Sequence, residues 1–394
     1  MGLSLPAESS ALMRDKKTLS KLRLNLKRNR REDHSSKMDE CAEAFRYEDC
    51  KDQFWNPERF SLLYGTPIWD QADQTQRLRL NQLYWVAYYA QIISAEIATI
   101  HFNAMSATGL YGLADYREVC DVLDLESSQE RAHINVFRVV AEQVEADLFG
   151  ERVFTRPWRG PFFETMIFPN SNAIKRWYKR VALKFFGQLS SSNAFIASQY
   201  LTVRGLRTLN GKMVQQGLSD FYADLPDQAG APMPAAISHY HYMDESYHFN
   251  SSCIIGLDVV RSLPAPTAFE RAVTNAAIAG CQRDHANFSV VVNGLFWYEP
   301  ATFPTVYKVL RGPLFEMSDA DAREWMRRSF CEENEGVRLA QSQHEVASAS
   351  YERFLDPLEF INTKNRTLAI MRKASLERYL KQNKRALSRL KGVA

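Results

Sequence analysis

Residues 241–248 read His-Tyr-Met-Asp-Glu-Ser-Tyr-His, and residues 130–133 read Glu-Arg-Ala-His. Each contains Glu-x-x-His, at Glu245/His248 and at Glu130/His133. Residues three or four apart share a helix face, so each motif aims a carboxylate and an imidazole at one point, and His241 joins the second face. With 26 Glu and 8 His in 394 residues, composition alone supplies roughly half an occurrence of such a motif. Two of them in helical surroundings therefore carry information, and the fold they fit is a bundle whose facing helices build a site in its core.

The flanking sequence supplies the helices. A helix expected over about 74–107, closed by Gly109, carries an apolar stripe of Leu78, Trp85, Tyr89, Ile92, Ile93, Ile97 and Ile100. Glu96 falls on that stripe, where a buried, unpaired carboxylate costs several kcal/mol. A second helix, about 115–149, carries Glu130 and His133 near its middle. In an antiparallel hairpin of these two helices Glu96 and Glu130 reach similar heights. Residues 156–172 hold three prolines and read as turns. A third helix starts at Ala173 or Ser190 and stops at Asn210-Gly211. A fourth begins near Pro234 and continues through Cys253 to Val260, and further helices are expected at 265–295, 318–354 and 362–391. Strand signals are absent. The expected fold is all-α: a ferritin-like four-helix bundle core with additional C-terminal helices. Residues 1–52 read as a mobile basic arm, 53–360 as the dimetal helical domain, and 361–394 as a basic C-terminal helix.

Composition excludes several classes. Apolar content of 45% and charged content of 24% describe an ordinary globular chain. No run approaches the length of a membrane span, and the N-terminal residues have no apolar stretch like a secretory leader, so a cytoplasmic protein is expected. The six cysteines show no Cys-x-x-Cys spacing, which argues against a disulfide frame or a zinc ribbon. Basic residues cluster at both ends, and no acidic residue occurs between Glu164 and Asp220. No motif of a nucleic-acid-binding module accompanies them, so no nucleic-acid partner is expected.

The candidate metal ligands are Glu96, Glu130, His133, His241, Glu245 and His248. Carboxylates mixed with imidazoles suit iron or manganese, whereas structural zinc recruits thiolates. Asp244 is placed to accept a hydrogen bond from a ligating imidazole, His133 above all. His101, five residues after Glu96, lies off its face and reads as structural, and His239, two before His241, points elsewhere; the Asp284-His285 pair and the Gln343-His344-Glu345 cluster lack partners at usable spacing and read as surface or packing residues.

The His-x-x-x-Glu-x-x-His segment at 241–248, preceded by Glu96 and by Glu130-x-x-His133, resembles the p-aminobenzoate N-oxygenase family over roughly residues 75–260. That resemblance implies two iron ions, with manganese as the alternative metal, and dioxygen as co-substrate. It implies Glu96 and His241 as terminal ligands, Glu130 and Glu245 as bridges, and oxygenation of a substrate amine. The family's third helix supplies a further glutamate, which the acid-free stretch here does not contain. Gln199 stands at the mirrored position if the helix stops at Asn210, and Gln215 or Gln216 if it runs on. Two divalent ions with three carboxylates carry a formal +1, and the open position invites an anion: a substrate carboxylate or a halide. The halide alternative is shared with the cyanobacterial dimetal-carboxylate halogenases, which look like remote relatives. The duller alternative is a weakened second site that is mixed or mononuclear.

The leading expectation is therefore a non-haem di-iron oxygenase acting by N- or C-oxygenation on a small or acyl-carrier-bound metabolite. A halogenase ranks second, and a non-catalytic iron- or ligand-binding protein third. A helical stripe of Lys175, Arg176, Lys179, Arg180 and Lys184 would suit an acidic carrier protein or a ferredoxin-type electron donor. A homodimer is the remaining partner expectation.

Overall fold

The computed structural model describes residues 11–113, 115–154, 173–292, 295–366 and 376–390. Its helices are α1 (Ala11–Arg14), α2 (Lys16–Arg31), α3 (Ser35–Ala44), α4 (Pro67–Gln71), α5 (Gln74–Tyr111), α6 (Arg117–Phe149) and α7 (Ala173–Ser190). They continue as α8 (Ala194–Ala223), α9 (Met233–Cys253), α10 (Ala268–Val292), α11 (Phe303–Arg311), α12 (Asp319–Cys331), α13 (Glu335–Leu355) and α14 (Leu376–Leu387). No strand occurs among the described residues, so the all-α expectation holds. None of these helices is long and apolar enough to cross a membrane.

Helices α5, α6, α8 and α9 form the bundle. α5 packs along α6 and α8 along α9 as two hairpins, joined by one long crossover that contains α7. Local chemistry fixes the ends. Asp73 and Gln76 form a reciprocal capping box at the start of α5. Gly150, at φ +65°, closes α6 in the left-handed region that favours glycine. The Asn193 side chain caps α8 by accepting from the Ile196 N–H. Beyond Cys253 the fourth helix widens into a π-turn, Ile254–Asp258, and then tightens to 3₁₀ over Val259–Ser262.

Along its axis the bundle is layered. One end is an aromatic core that includes Trp55, Tyr84, Trp85, Tyr89, Phe137 and Trp297. The other is an aliphatic core that includes Leu22, Phe102, Leu123, Leu201 and Ile255. Between them lies a buried polar layer, with Glu96, Glu126, Gln129, Glu130, His133, Arg204, His241, Asp244 and Glu245 all shielded from solvent. Buried groups of this kind are costly unless each finds a partner, so the layer is the part of the fold that packing alone does not explain.

Several expectations change. Instead of an arm without structure, residues 16–31 and 35–44 are helices laid against α6 and α9. Leu19, Leu22 and Leu26 are buried in the first of these at helical spacing, interleaved with eight Lys/Arg that mask the pattern. α8 runs through Gly211 to Ala223: burial of Val214, Gln215 and Leu218 outweighs the ~1 kcal/mol that a mid-helix glycine costs. The helix expected over 318–354 is broken at 332–334, where Asn334 caps α13. α11 was not anticipated, and of 362–391 only Leu376–Leu387 is α-helical among the described residues. The Trp- and Pro-rich segment 54–69 is ordered ahead of α5, with the Asn81 side chain accepting from the Trp55 and Asn56 N–H groups and donating to the Asn56 carbonyl. The turns expected at 156–172 lie outside the described residues.

Candidate metal centre

The six candidate ligands converge in the polar layer. α5 contributes Glu96, α6 contributes Glu130 and His133, and α9 contributes His241, Glu245 and His248. Donor atoms of Glu96, His133, His241 and Glu245 lie within 4.8 Å of one another, and those of Glu130, Glu245 and His248 form a second such group. Glu245 belongs to both. Glu130 also straddles them, with Oε2 3.4 Å from His133 Nδ1 and Oε1 3.4 Å from His248 Nδ1. Glu96 Oε1 is 3.2 Å from His241 Nε2 and 3.5 Å from His133 Nδ1.

The hydrogen bonds behind the imidazoles decide which nitrogen faces inward. His133 Nε2 lies 3.1 Å from Asp244 Oδ2, the partner expected from sequence, which turns Nδ1 toward Glu96 and Glu130. His248 Nε2 lies 2.8 Å from Gln129 Oε1, again leaving Nδ1 inward. His241 points Nε2 inward and sits in van der Waals surroundings of Tyr89 and Phe137.

His248 Nδ1 lies 2.9 Å from Glu245 Oε1, but other polar atoms of the cluster are unsatisfied. Both oxygens of Glu96, Oε2 of Glu130, Nδ1 of His133 and both ring nitrogens of His241 are buried without a hydrogen-bond partner. Unmet acceptors converging from three helices are what a pair of cations satisfies, so the donor set fits two divalent ions. The electrostatics agree. Burial and the Glu130 carboxylate push the Glu96 carboxyl above its ordinary value. Burial would likewise raise Glu130, but the imidazoles of His133 and His248 hold it below. Asp244 is also buried, yet hydrogen bonds from His133 and His34 hold it at about 2.

The third helix of the bundle, α8, supplies no carboxylate at this height. Ala197 packs on Gly109, Tyr200 stacks on Phe102, and Arg204 bonds Asn103, which sets the register of α8 against α5. That register brings Thr208 and Gly211 level with Glu96. Gln199 therefore stands about 13 Å away along the axis, and its assignment as the replaced ligand is corrected. The error followed from ending α8 at Gly211 instead of Ala223. Gln216 is exposed, and Gln215 is buried about two turns past the site. Thr208 Oγ1 is turned back to the Arg204 and Gly205 carbonyls, and a Cβ added at Gly211 would meet nothing within 4 Å. Among the described residues, the α8 side of the cluster thus brings no carboxylate or imidazole, and it has room at Gly211.

Three residues escaped the sequence reading. Arg204 and Glu126 form a fully buried ion pair at 2.6 Å beneath the cluster. Arg204 also donates to the His248 carbonyl at 3.0 Å and to Ser252 Oγ at 2.7 Å, tying α8 to the ligand-bearing helix. Glu126 lies one turn before Glu130 on the same face, a spacing that would have found it; the third, Gln129, carries no signal of its own. His239 bonds Ser219, away from the cluster. Of the basic stripe on α7, the side chains of Lys175, Arg176 and Lys179 lie outside the described residues; Arg180 is half-buried and Lys184 exposed.

Comparisons with curated proteins and with solved structures returned no match. A family model described as "Acyl halogenase CylC-like" matches residues 17–391, spanning the bundle together with α2 and the C-terminal helices. The resemblance to p-aminobenzoate N-oxygenases rested on the ligand spacing of 75–260 alone and is set aside in favour of a match over nearly the whole sequence. The chain belongs to the CylC-like acyl halogenase family.

Proposed function

We propose that the protein is a dimetal halogenase that exchanges a C–H hydrogen of an acyl substrate for chlorine or bromine, using two iron ions and dioxygen. The observation that carries this reading is the combination of six convergent ligands with an α8 that brings no carboxylate or imidazole to their height. Family membership supports halogenation over the oxygenation first expected. In overall balance, R–H and a halide ion give R–X, a proton and two electrons. Dioxygen takes those two electrons and two more from an external donor, and leaves as two waters.

The bound metal pair would supply dioxygen activation; the protein supplies orientation and charge. Three carboxylates against two divalent ions leave the cluster formally positive. The vacant α8 side gives an anion a place to enter without displacing a ligand. Tyr89 and Phe137 wall the His241 side and keep water from it. A ferredoxin-type protein would suit as donor, and a carrier-bound thioester as substrate.

The test uses protein loaded with ferrous iron, given dioxygen, a reductant, and acyl chains as free acids, coenzyme A thioesters and carrier-protein thioesters, with and without halide. A product bearing the chlorine isotope pattern, formed only with chloride, supports the reading. A halide-independent product that gains oxygen returns the oxygenase. Uptake of iron well beyond two ions per chain without turnover indicates storage. Gly211→Glu, which restores a fourth carboxylate in open space, should keep two ions bound while halide dependence is lost.

A further inference from the structure

We infer that α2 and the residues just after it act as a clasp that orients the two inward-facing Nδ1 imidazoles separately, with Asn29 and His34 as positioning residues. This rests on the dimetal reading above.

Asn29 is buried although it lies in the basic N-terminal helix, and it forms a reciprocal amide pair with Gln129. Asn29 Nδ2 donates to Gln129 Oε1 at 3.1 Å, and Gln129 Nε2 donates to Asn29 Oδ1 at 2.8 Å. The pairing fixes which end of the Gln129 amide faces His248. Its carbonyl oxygen accepts from His248 Nε2–H, and Nδ1 keeps its lone pair for the cluster. A flipped Gln129 would present N–H to Nε2 and favour the tautomer with a proton on Nδ1, which cannot bind a cation.

His34, between α2 and α3, does the equivalent for His133. Its backbone N–H and Nδ1 lie 3.3 and 2.9 Å from Asp244 Oδ1, while the other oxygen of Asp244 faces His133 Nε2. The His34 ring stacks on Tyr240, one turn before Asp244 on α9. Asn25 adds a third tie, donating to the Tyr247 carbonyl and to Ser251 Oγ. The two imidazoles therefore have separate supports of different charge: a carboxylate behind His133 and a neutral amide behind His248.

The separation makes the clasp testable by a crossed pattern. Cobalt(II) is titrated into metal-free full-length protein, with affinities from calorimetry and ligand field from visible absorption. Asn29→Ala should weaken the ion at the His248 position about 10–100-fold and leave the other within about threefold. His34→Ala should do the reverse, and His34→Asn, which keeps a donor toward Asp244, should recover it. Gln129→Glu, close to isosteric, should tighten the His248 position and shift its absorption bands. Equal weakening of both positions in both alanine variants, or no change in either, overturns the clasp alone. A wild type that takes up no cobalt overturns the metal reading, and the clasp with it.

Discussion

The two halves of the cluster are built from unequal materials. The His133 half has two imidazoles, a carboxylate of its own in Glu96, and shares in Glu130 and Glu245. The His248 half has one imidazole and the same two shared carboxylates, and its backbone carbonyl is held by Arg204 of α8. In this reading the first half is a site that holds a metal, and the second is a site that holds a metal loosely enough to accept something else. The bundle achieves the difference with a single helix. α8 keeps its packing role and its buried arginine but brings no carboxylate to the ligand height.

Removing what both halves share should have the largest effect. Glu130→Ala deletes the carboxylate that spans His133 and His248. Because even outer-shell partners are worth about 10–100-fold in metal affinity, losing this bridge should cost more than about a hundredfold at both positions. Metal analysis of the isolated variant should find neither ion retained. Two ions retained would show that Glu130 is not a ligand.

Arg204 tests the structural side of the same contrast, because it lies beneath the poorer half and holds the His248 carbonyl. Arg204→Met leaves Glu126 buried and unpaired, which should cost about 3–5 kcal/mol of stability. Adding Glu126→Leu should return part of that loss in chemical denaturation, since the uncompensated charge goes with it. A single variant as stable as wild type would mean that solvent reaches Glu126.

What the sequence revealed of this layer follows a physical rule. Glu130, His133, His241, Glu245 and His248 were readable because their spacing repeats the helix period and their chemistry is unusual on one face. Glu96 was readable as a charge on an apolar stripe. Asn25, Asn29 and His34 were not, because a polar face that is buried against another polar face looks the same as a solvated one. Their helix was hidden too, its three buried leucines interleaved with arginines and lysines. The height of α8 was lost for a different reason. A glycine after an asparagine resembles a helix stop, and only the packing of Val214 and Leu218 carries the helix past it.

Unequal halves should also respond unequally to loss of a private ligand. His248→Ala removes the only imidazole of the poorer half and should leave about one ion per chain, held by Glu96, His133 and His241. His241→Ala removes one of two imidazoles from the richer half and should lower affinity there while retaining measurable binding. Halogenation should fail in the first variant and be reduced in the second. Equal metal loss in both would erase the proposed asymmetry.

The smallest predicted effect concerns pH, and its sign follows from the protons that stand in for metal. Burial alone would lower the His133 and His248 pKa values, but Asp244, Glu130 and Glu96 around one, and Glu245 and Glu130 around the other, raise both well above 6.5. In the metal-free protein these imidazoliums stabilise the fold fully below about pH 6.5, the unfolded-state value, and that contribution is lost as pH rises through the raised pKa values. Metal binding requires both rings neutral at Nδ1, so it releases their protons and strengthens as pH rises. Each proton released changes the binding constant about tenfold per pH unit, or about 1.4 kcal/mol. The gap in melting temperature between metal-loaded and metal-free protein should therefore widen from pH 6 to pH 8, with proton release visible by calorimetry in buffers of different ionisation enthalpy. A gap that stays constant with rising pH would mean that the rings are already neutral before the metal arrives, and that the carboxylates around them are not held as this geometry requires.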